Sequence, residues 1–453
     1  MLFLGELRSA PRRELDLKTA VFMAKQSYRK TPRVNTFRKL VLIALACSIS
    51  VVNADDLKKA KPESVGMSSE RLERIKPYMQ AYVDNDELAG MVTLIARKGK
   101  IVHFEEVGKL NLDTGKKLEK DSLFRIYSMT KPIVTTAAMM LYEEGKFQLT
   151  DPVSMYLPAF KGVKVLVDGE EVDATHEFTI RELMSHTAGL TYGVFGNTEI
   201  DQAYRAALWE QNGGYKVATI EEMVNEMGEI PLLYQPGSQW VYSLSVDVLG
   251  RLIEVVSGQA LDVFLQERMF SPLDMDDTFF EVPKNKVKRF GTNHISSKEG
   301  VLTVMDRPES SAFANKVTFF SGGGGLVSTA MDYLRYSQMM LNGGELDGVR
   351  IVSPTTIKLM TRNQLNEGVS SGFGERPGVA GTIGFGLGFG VATAGPKVGS
   401  GSKGEFNWGG AAGTLFWIDP EEELTAVLMV QMMRNPINLR AQFKTLTYQA
   451  IVE

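Results

Sequence analysis

The chain has 453 residues, of which 44% are hydrophobic and 23% charged, and a formal net charge of −4. That length exceeds one ordinary domain, and the apolar share supports a large core, which excludes a disordered chain or a small disulfide-stapled scaffold. Residues 1–54 hold ten Lys+Arg and three Asp+Glu, so the rest carries 40 basic and 51 acidic residues, and a net charge of −11 argues against nucleic acid and anionic membranes as partners.

Residues 1–54 read as a leader. Arg29, Lys30, Arg33, Arg38 and Lys39 form a basic run, Leu40 to Val52 is apolar, and Val52-Asn53-Ala54 resembles a signal-peptidase site before Asp55. The apolar run is too short for a permanent bilayer span, so no stable membrane anchor is expected. The expected location is exported, periplasmic or secreted. The alternative is a short buried helix or tail in a cytoplasmic protein, and Met23 is an alternative start. The single cysteine, Cys47, lies in the leader, so the cleaved chain has no thiol chemistry and no disulfide.

Ser68 to Asp84 predicts a helix capped by Ser68, with Leu72, Ile75, Met79 and Tyr82 on one stripe. Met91 to Ala96 and Ile101 to Val107 flank Arg97-Lys-Gly-Lys100, a hairpin signature. The apolar run Leu123 to Tyr127 then enters Ser128-Met-Thr-Lys131-Pro132. Pro is tolerated only in a helix's first turn, so Ser128 sits at or just before the start of a helix that stops near Gly145. From Leu149 to about Phe280 the texture is helices and loops, with helices expected at Phe178–Gly189, Thr219–Met227, Ser245–Ser257 and Ala260–Met269. After about residue 315 strands return. Ser321 to Gly325 is a glycine-rich strand or turn, Met331 to Leu341 a helix, and residues 367–384 a Gly/Ser-rich loop. Phe385–Thr393, Thr414–Ile418 and Leu424–Gln431 read as strands, and Asn438–Val452 as a closing helix. The expected fold class is mixed α/β (α+β). Residues 55–150 and 315–453 form one α/β domain, residues 151–314 an inserted helical domain, and the cleft between them holds the site.

Three stretches carry chemistry. Ser128 and Lys131 lie one helical turn apart, at the positive end of the helix dipole. A serine hydroxyl is a weak nucleophile and needs a base within reach; a lysine one turn along is either that base or the cation that holds a second base anionic. A surface serine beside a solvated lysine is the bland alternative, and Ser27–Lys30 and Ser400–Lys403 match the same spacing without the strand-then-helix context. The second stretch, Pro236-Gly to Tyr242-Ser-Leu244, places a tyrosine just before a helix, either as a proton acceptor for Ser128 or as a packed aromatic. The third, Asn407-Trp408-Gly409-Gly410-Ala411-Ala-Gly-Thr414, lets backbone approach a ligand closely, or is a turn with a partly buried Trp.

In this order the three blocks resemble the serine β-lactamase/penicillin-binding-protein superfamily, and within it the class C β-lactamase-like esterases called family VIII carboxylesterases. Met184-Ser-His-Thr-Ala-Gly-Leu190 is similar to a stretch common there. The resemblance implies an antiparallel sheet flanked by helices, an acyl-enzyme mechanism, a small-molecule ester substrate and no cofactor or metal. It implies Ser128 as nucleophile, Tyr242 as general base, Lys131 as the group keeping it deprotonated or sharing the proton, and the N–H groups of Ser128 and Ala411 as oxyanion hole. Trp408, Gly409, Gly410, Leu244 and Tyr192 would contact substrate. Leu244 stands where β-lactamases usually have Asn, and Trp408 where they usually have a Lys that helps hold a carboxylate. Both departures favour neutral esters and leave β-lactam hydrolysis as a side activity. The alternatives are a β-lactamase or D-alanyl-D-alanine peptidase of the same fold, and a non-catalytic peptidoglycan-binding relative.

Gly368-Val-Ser370-Ser-Gly372 matches a nucleophile-elbow pattern, but no apolar strand precedes it and no His follows it. His103, His176, His186 and His294 are too scattered for a metal set, and His186 is expected to satisfy loop backbone.

Overall fold

The computed structural model describes residues 57–210, 214–297, 300–372, 382–395, 399–435 and 437–453, so the leader and Cys47 lie outside the described residues. A nine-stranded sheet is built from β1 (Lys58–Lys59), β2 (Gly90–Arg97), β3 (Lys100–Asn111), β4 (Lys116–Lys117), β5 (Ile383–Phe385), β6 (Gly390–Ala392), β7 (Phe406–Gly409), β8 (Leu415–Asp419) and β9 (Leu424–Val430). Their order is β1-β3-β2-β9-β8-β7-β6-β5, with β4 on the edge of β3. Every pair is antiparallel except β1 with β3. The join that matters is β2 to β9, in register from Arg97 opposite Leu424 to Met91 opposite Val430. It makes one sheet from sequence-distant halves, as expected.

β2 and β9 are buried along their whole length because both faces of the sheet are covered. Side chains alternate between the faces. Val92, Leu94, Val427 and Met429 enter the core shared with helices α2 (Thr130–Glu143) and α5 (Ala330–Leu341). Met91, Ile95, Ala426 and Leu428 enter a second core with α1 (Ile75–Asp84) and α6 (Leu439–Tyr448). There the Trp417 ring meets Phe443 edge-on at 5.4 Å.

Two expected elements are split. The helix over 68–84 is two, Ser69–Leu72 and α1; Ser68 caps the first, and the restart places Pro77, which has no N–H to donate, in the opening turn of the second. The strand over 385–393 is β5 and β6, folded back where the Gly386 N–H bonds the Phe389 carbonyl at 2.8 Å and Gly388 takes φ +82. Residues 151–314 contain α3 (Ile180–Met184) and α4 (Ser245–Ser257), with further helices at Glu199–Leu208 and Ile220–Gly228. They also contain two unexpected ribbons, Lys164–Val167 with Glu170–Asp173 and Asn293–Ser296 with Leu302–Asp306. The second ribbon pairs with Met432–Met433, so this region shares a small sheet with the C-terminal part of the chain.

Candidate active site

Ser128 is delivered by a short strand, Phe124–Arg125, paired with Val327–Ser328. Fully buried Arg125 anchors it: Nε bonds Asp306 at 2.7 Å, Nη1 the Gly291 carbonyl at 2.6 Å, Nη2 the Ser311 hydroxyl at 3.1 Å, and the guanidinium lies 3.9 Å over the Phe290 ring. Tyr127 then adopts φ +43, a strained conformation for an aromatic residue. Its hydroxyl accepts from Asn293 Nδ2 at 2.8 Å and its ring meets Phe313 edge-on, contacts that hold the strain. Ser128 follows in a 3₁₀ turn, Tyr127–Met129, and α2 begins at Thr130. Pro132 falls in the first turn and Gly145 lies just past the end, as the sequence predicts.

Lys131 is 1% exposed. Its ammonium donates to Ser128 Oγ at 3.5 Å, to the Tyr192 hydroxyl at 2.7 Å and to the Gly323 carbonyl at 2.6 Å. It also lies over the Tyr242 and Tyr192 rings, 4.7 and 5.2 Å from their centroids. The Tyr242 hydroxyl is buried and lies beside the Tyr192 phenol. Its ring is packed by His186 at 4.9 Å, Tyr192 at 5.3 Å and Trp408 at 5.5 Å. Burial first, then the neighbouring Tyr242 and Asp247, pushes the Tyr192 phenol well above its ordinary range, so Tyr192 stays a neutral phenol. His186 is fully buried; burial and then Lys131 hold its imidazole well below the usual value, so it is neutral. Its Nδ1 meets the Ser243 hydroxyl at 3.0 Å, and its carbonyl accepts the Val241 N–H at 3.0 Å.

The first two blocks therefore converge, with two corrections. Tyr192, expected only to line the cleft, is the phenol bonded directly to Lys131. Leu244, expected to contact substrate, is 0% exposed and sits in the core: it occupies the N-cap position of α4, where the chain turns inward. It shapes the cleft only by supplying no polar group to it.

The third block lies on β7 and the turn after it. Trp408 is opposite Phe416 on β8, with its ring 5.2 Å from Phe385. A Cβ on Gly409 would sit 2.7 Å from the Arg440 guanidinium, so that side of Gly409 is filled by Arg440 rather than open to a ligand. A Cβ on Gly410 would sit 2.5 Å from the Ile126 carbonyl, which shows how closely this turn abuts the segment carrying Ser128. The Gly410 N–H bonds the Thr414 carbonyl at 2.9 Å, and Arg440 Nη2 clamps the Gly410 and Thr414 carbonyls at 2.7 and 3.0 Å. Ala411 lies exposed at the tip.

Sequence reasoning missed Arg440, and also a displayed apolar pair. Val194 and Phe195 are 48% and 72% exposed, and the Phe195 ring is 5.4 Å from Tyr192 and 6.1 Å from Tyr242. Their loop is held from below: Arg205 bonds the Gly193 carbonyl, the Gly196 carbonyl at 3.0 Å and Asn197 Oδ1 at 2.7 Å. The Thr198/Asp201 capping box of the helix Glu199–Leu208 was the legible signal for this support.

A serine at the mouth of a helix, a buried lysine one turn on and two phenols over that lysine, set beside an antiparallel sheet, make a serine hydrolase of the β-lactamase fold. The chain belongs to the beta-lactamase family, whose model matches residues 75–445. Protein Rv1367c of Mycobacterium tuberculosis is 35% identical over 356 residues, 76% of this chain and 86% of its own. Esterase EstB of Burkholderia gladioli is 29% identical over 362 residues, with the same 76% and 86% coverage. The solved structure of EstCE1, described as a hydrolase with promiscuous acyltransferase activity, superposes with a TM-score of 0.70 at 26% identity, covering 85% of this chain and 99% of that one.

Proposed function

We propose that the protein is a serine carboxylesterase of the family VIII type, hydrolysing short-chain acyl esters through an acyl-enzyme, with β-lactam hydrolysis as a minor activity. The observation that carries this is the buried Lys131 ammonium, in contact with Ser128 and with both tyrosines in a cleft walled by Trp408. Likeness to an esterase supports it.

Ser128 Oγ attacks the ester carbonyl while its proton passes to the Tyr242 oxygen, the general base, with the Lys131 ammonium beside it. Tyr192, a neutral phenol, fixes Lys131 in place. The N–H groups of Ser128 and Ala411 receive the developing oxyanion. The alcohol leaves with the proton from Tyr242, and water activated by the same oxygen then hydrolyses the acyl-serine. Trp408 and the apolar rim favour uncharged groups.

A fluorophosphonate should label the native protein on the peptide bearing Ser128, and a short p-nitrophenyl ester should turn over faster than a cephalosporin. No labelling, or a preference for the cephalosporin, would overturn the proposal. Phe195→Ala should raise KM for esters with bulky apolar groups by about tenfold with kcat held, the effect of losing about 1.4 kcal/mol of uniform binding. An equal KM change for a methyl ester would show that Phe195 acts through the fold.

A further inference from the structure

The glycine-rich stretch Ser321–Gly325 takes no part in the chemistry so far, and neither does the carboxylate it touches. Asp247 lies in the first turn of α4 and is 0% exposed. Its Oδ1 accepts from the Ser321 hydroxyl at 2.5 Å and from the Gly323 N–H at 3.0 Å. Its Oδ2 has no hydrogen-bond partner among the described residues. A Cβ on Gly323 would sit 2.2 Å from that oxygen, and one on Gly322 would sit 2.4 Å from the Val246 carbonyl. Only glycine lets this turn lie so close to the opening of α4. On its other side Gly323 gives its carbonyl to the Lys131 ammonium at 2.6 Å. One residue is thus held by a carboxylate through its N–H and by an ammonium through its C=O.

We propose that Asp247 is the counter-charge of Lys131: an ionised carboxylate that acts through Gly323 to hold the ammonium charged and in place beside Ser128.

A buried ammonium without an opposite charge is costly, and neither phenol nor Ser128 supplies one while neutral. The ionised form of Asp247 is met by two donors, the Ser321 hydroxyl and the Gly323 N–H, and by the positive end of α4 and Lys131. Burial raises the carboxyl above its ordinary range, and Lys131, Ser321 and the Gly323 N–H offset part of that rise. The titratable groups facing Asp247 are Lys131 from α2, Tyr192 from the loop before the helix Glu199–Leu208, and Tyr215 from the segment before the helix Ile220–Gly228. Asp247 is a positioning residue, and its role rests on the proposed esterase chemistry, in which Lys131 works as a cation.

Asp247→Asn keeps the shape and both donors' acceptor while removing the charge. Losing a negative charge makes every group facing it release its proton at lower pH. The kcat/KM profile for a p-nitrophenyl ester should therefore fall about tenfold at the native optimum and move bodily toward acid by about one pH unit. A fall with no displacement, or no fall, overturns the proposal. Stability gives a second measurement. The variant Asp247→Asn/Lys131→Met, which removes both charges, should melt above Asp247→Asn alone, and a double variant no more stable than the single one also overturns it. Fluorophosphonate labelling of the native protein separates the two proposals. If native Ser128 is not labelled, the esterase chemistry fails; if it is labelled and the profile stays put, only the role of Asp247 fails.

Discussion

Ser128→Ala should reduce ester turnover by about 10⁴- to 10⁶-fold and abolish fluorophosphonate labelling, while the melting temperature stays essentially unchanged. The large loss follows from the absence of any other route to a covalent intermediate. The residual rate is what an oxyanion site and substrate binding supply unaided. The small stability change follows from the contacts: the Ser128 hydroxyl makes one long interaction, 3.5 Å from Lys131 Nζ, and the side chain is only half-buried. Alanine removes one hydroxyl and leaves no buried donor stranded, because the ammonium keeps Tyr192 and the Gly323 carbonyl. Retained activity would place the nucleophile elsewhere. Ser370 is a poor substitute, since it lies on an irregular segment with its hydroxyl turned to the Ser371 carbonyl at 3.2 Å.

The second large effect is on stability. Asp306→Ala should cost about 3 kcal/mol in a denaturant titration, at the lower end of what breaking a buried ion pair costs. Arg125 is fully enclosed, and Asp306 supplies its only carboxylate among the described residues, at 2.6 Å from Nη2 and 2.7 Å from Nε. The lower end applies because the guanidinium keeps the Gly291 carbonyl and the Gln431 side chain, and because Asp306 is partly open to water. Replacing both partners, as Arg125→Met with Asp306→Ala, should be less harmful than Asp306→Ala alone, since no uncompensated charge remains. Equal or greater damage in the double variant would mean that Arg125 acts through packing against Phe290 rather than through its charge.

The start of the helix after Ser128 was legible because a single residue, Pro132, restricts where a helix can begin, and Gly145 marks where it ends. The sheet was legible because both strands of its central pair are mostly apolar, with Thr93, Arg97 and Thr425 the polar exceptions. What escaped was tertiary. Tyr192 is 61 residues from Lys131, and nothing local distinguishes it from any tyrosine after a glycine turn. Asp247 reads as an ordinary first-turn acid until its burial and the approach of Gly323 are seen. Leu244 was misplaced because a residue opening a helix gives no period from which to tell which way it faces. Arg440 stands in a closing helix with no spacing to tie it to the turn it clamps.

The pairing of β2 with β9 has a consequence for how the molecule is made. The hairpin of β2 and β3 leaves the ribosome long before its inner edge can find a mate, because β9 lies far later in the chain. Until then an apolar strand with open hydrogen-bonding groups is available to any neighbouring polypeptide. Completion of the sheet therefore waits on the synthesis of β9. A fragment ending before Leu424 would carry β2 with that edge unpaired and should scatter light on refolding where the longer chain does not.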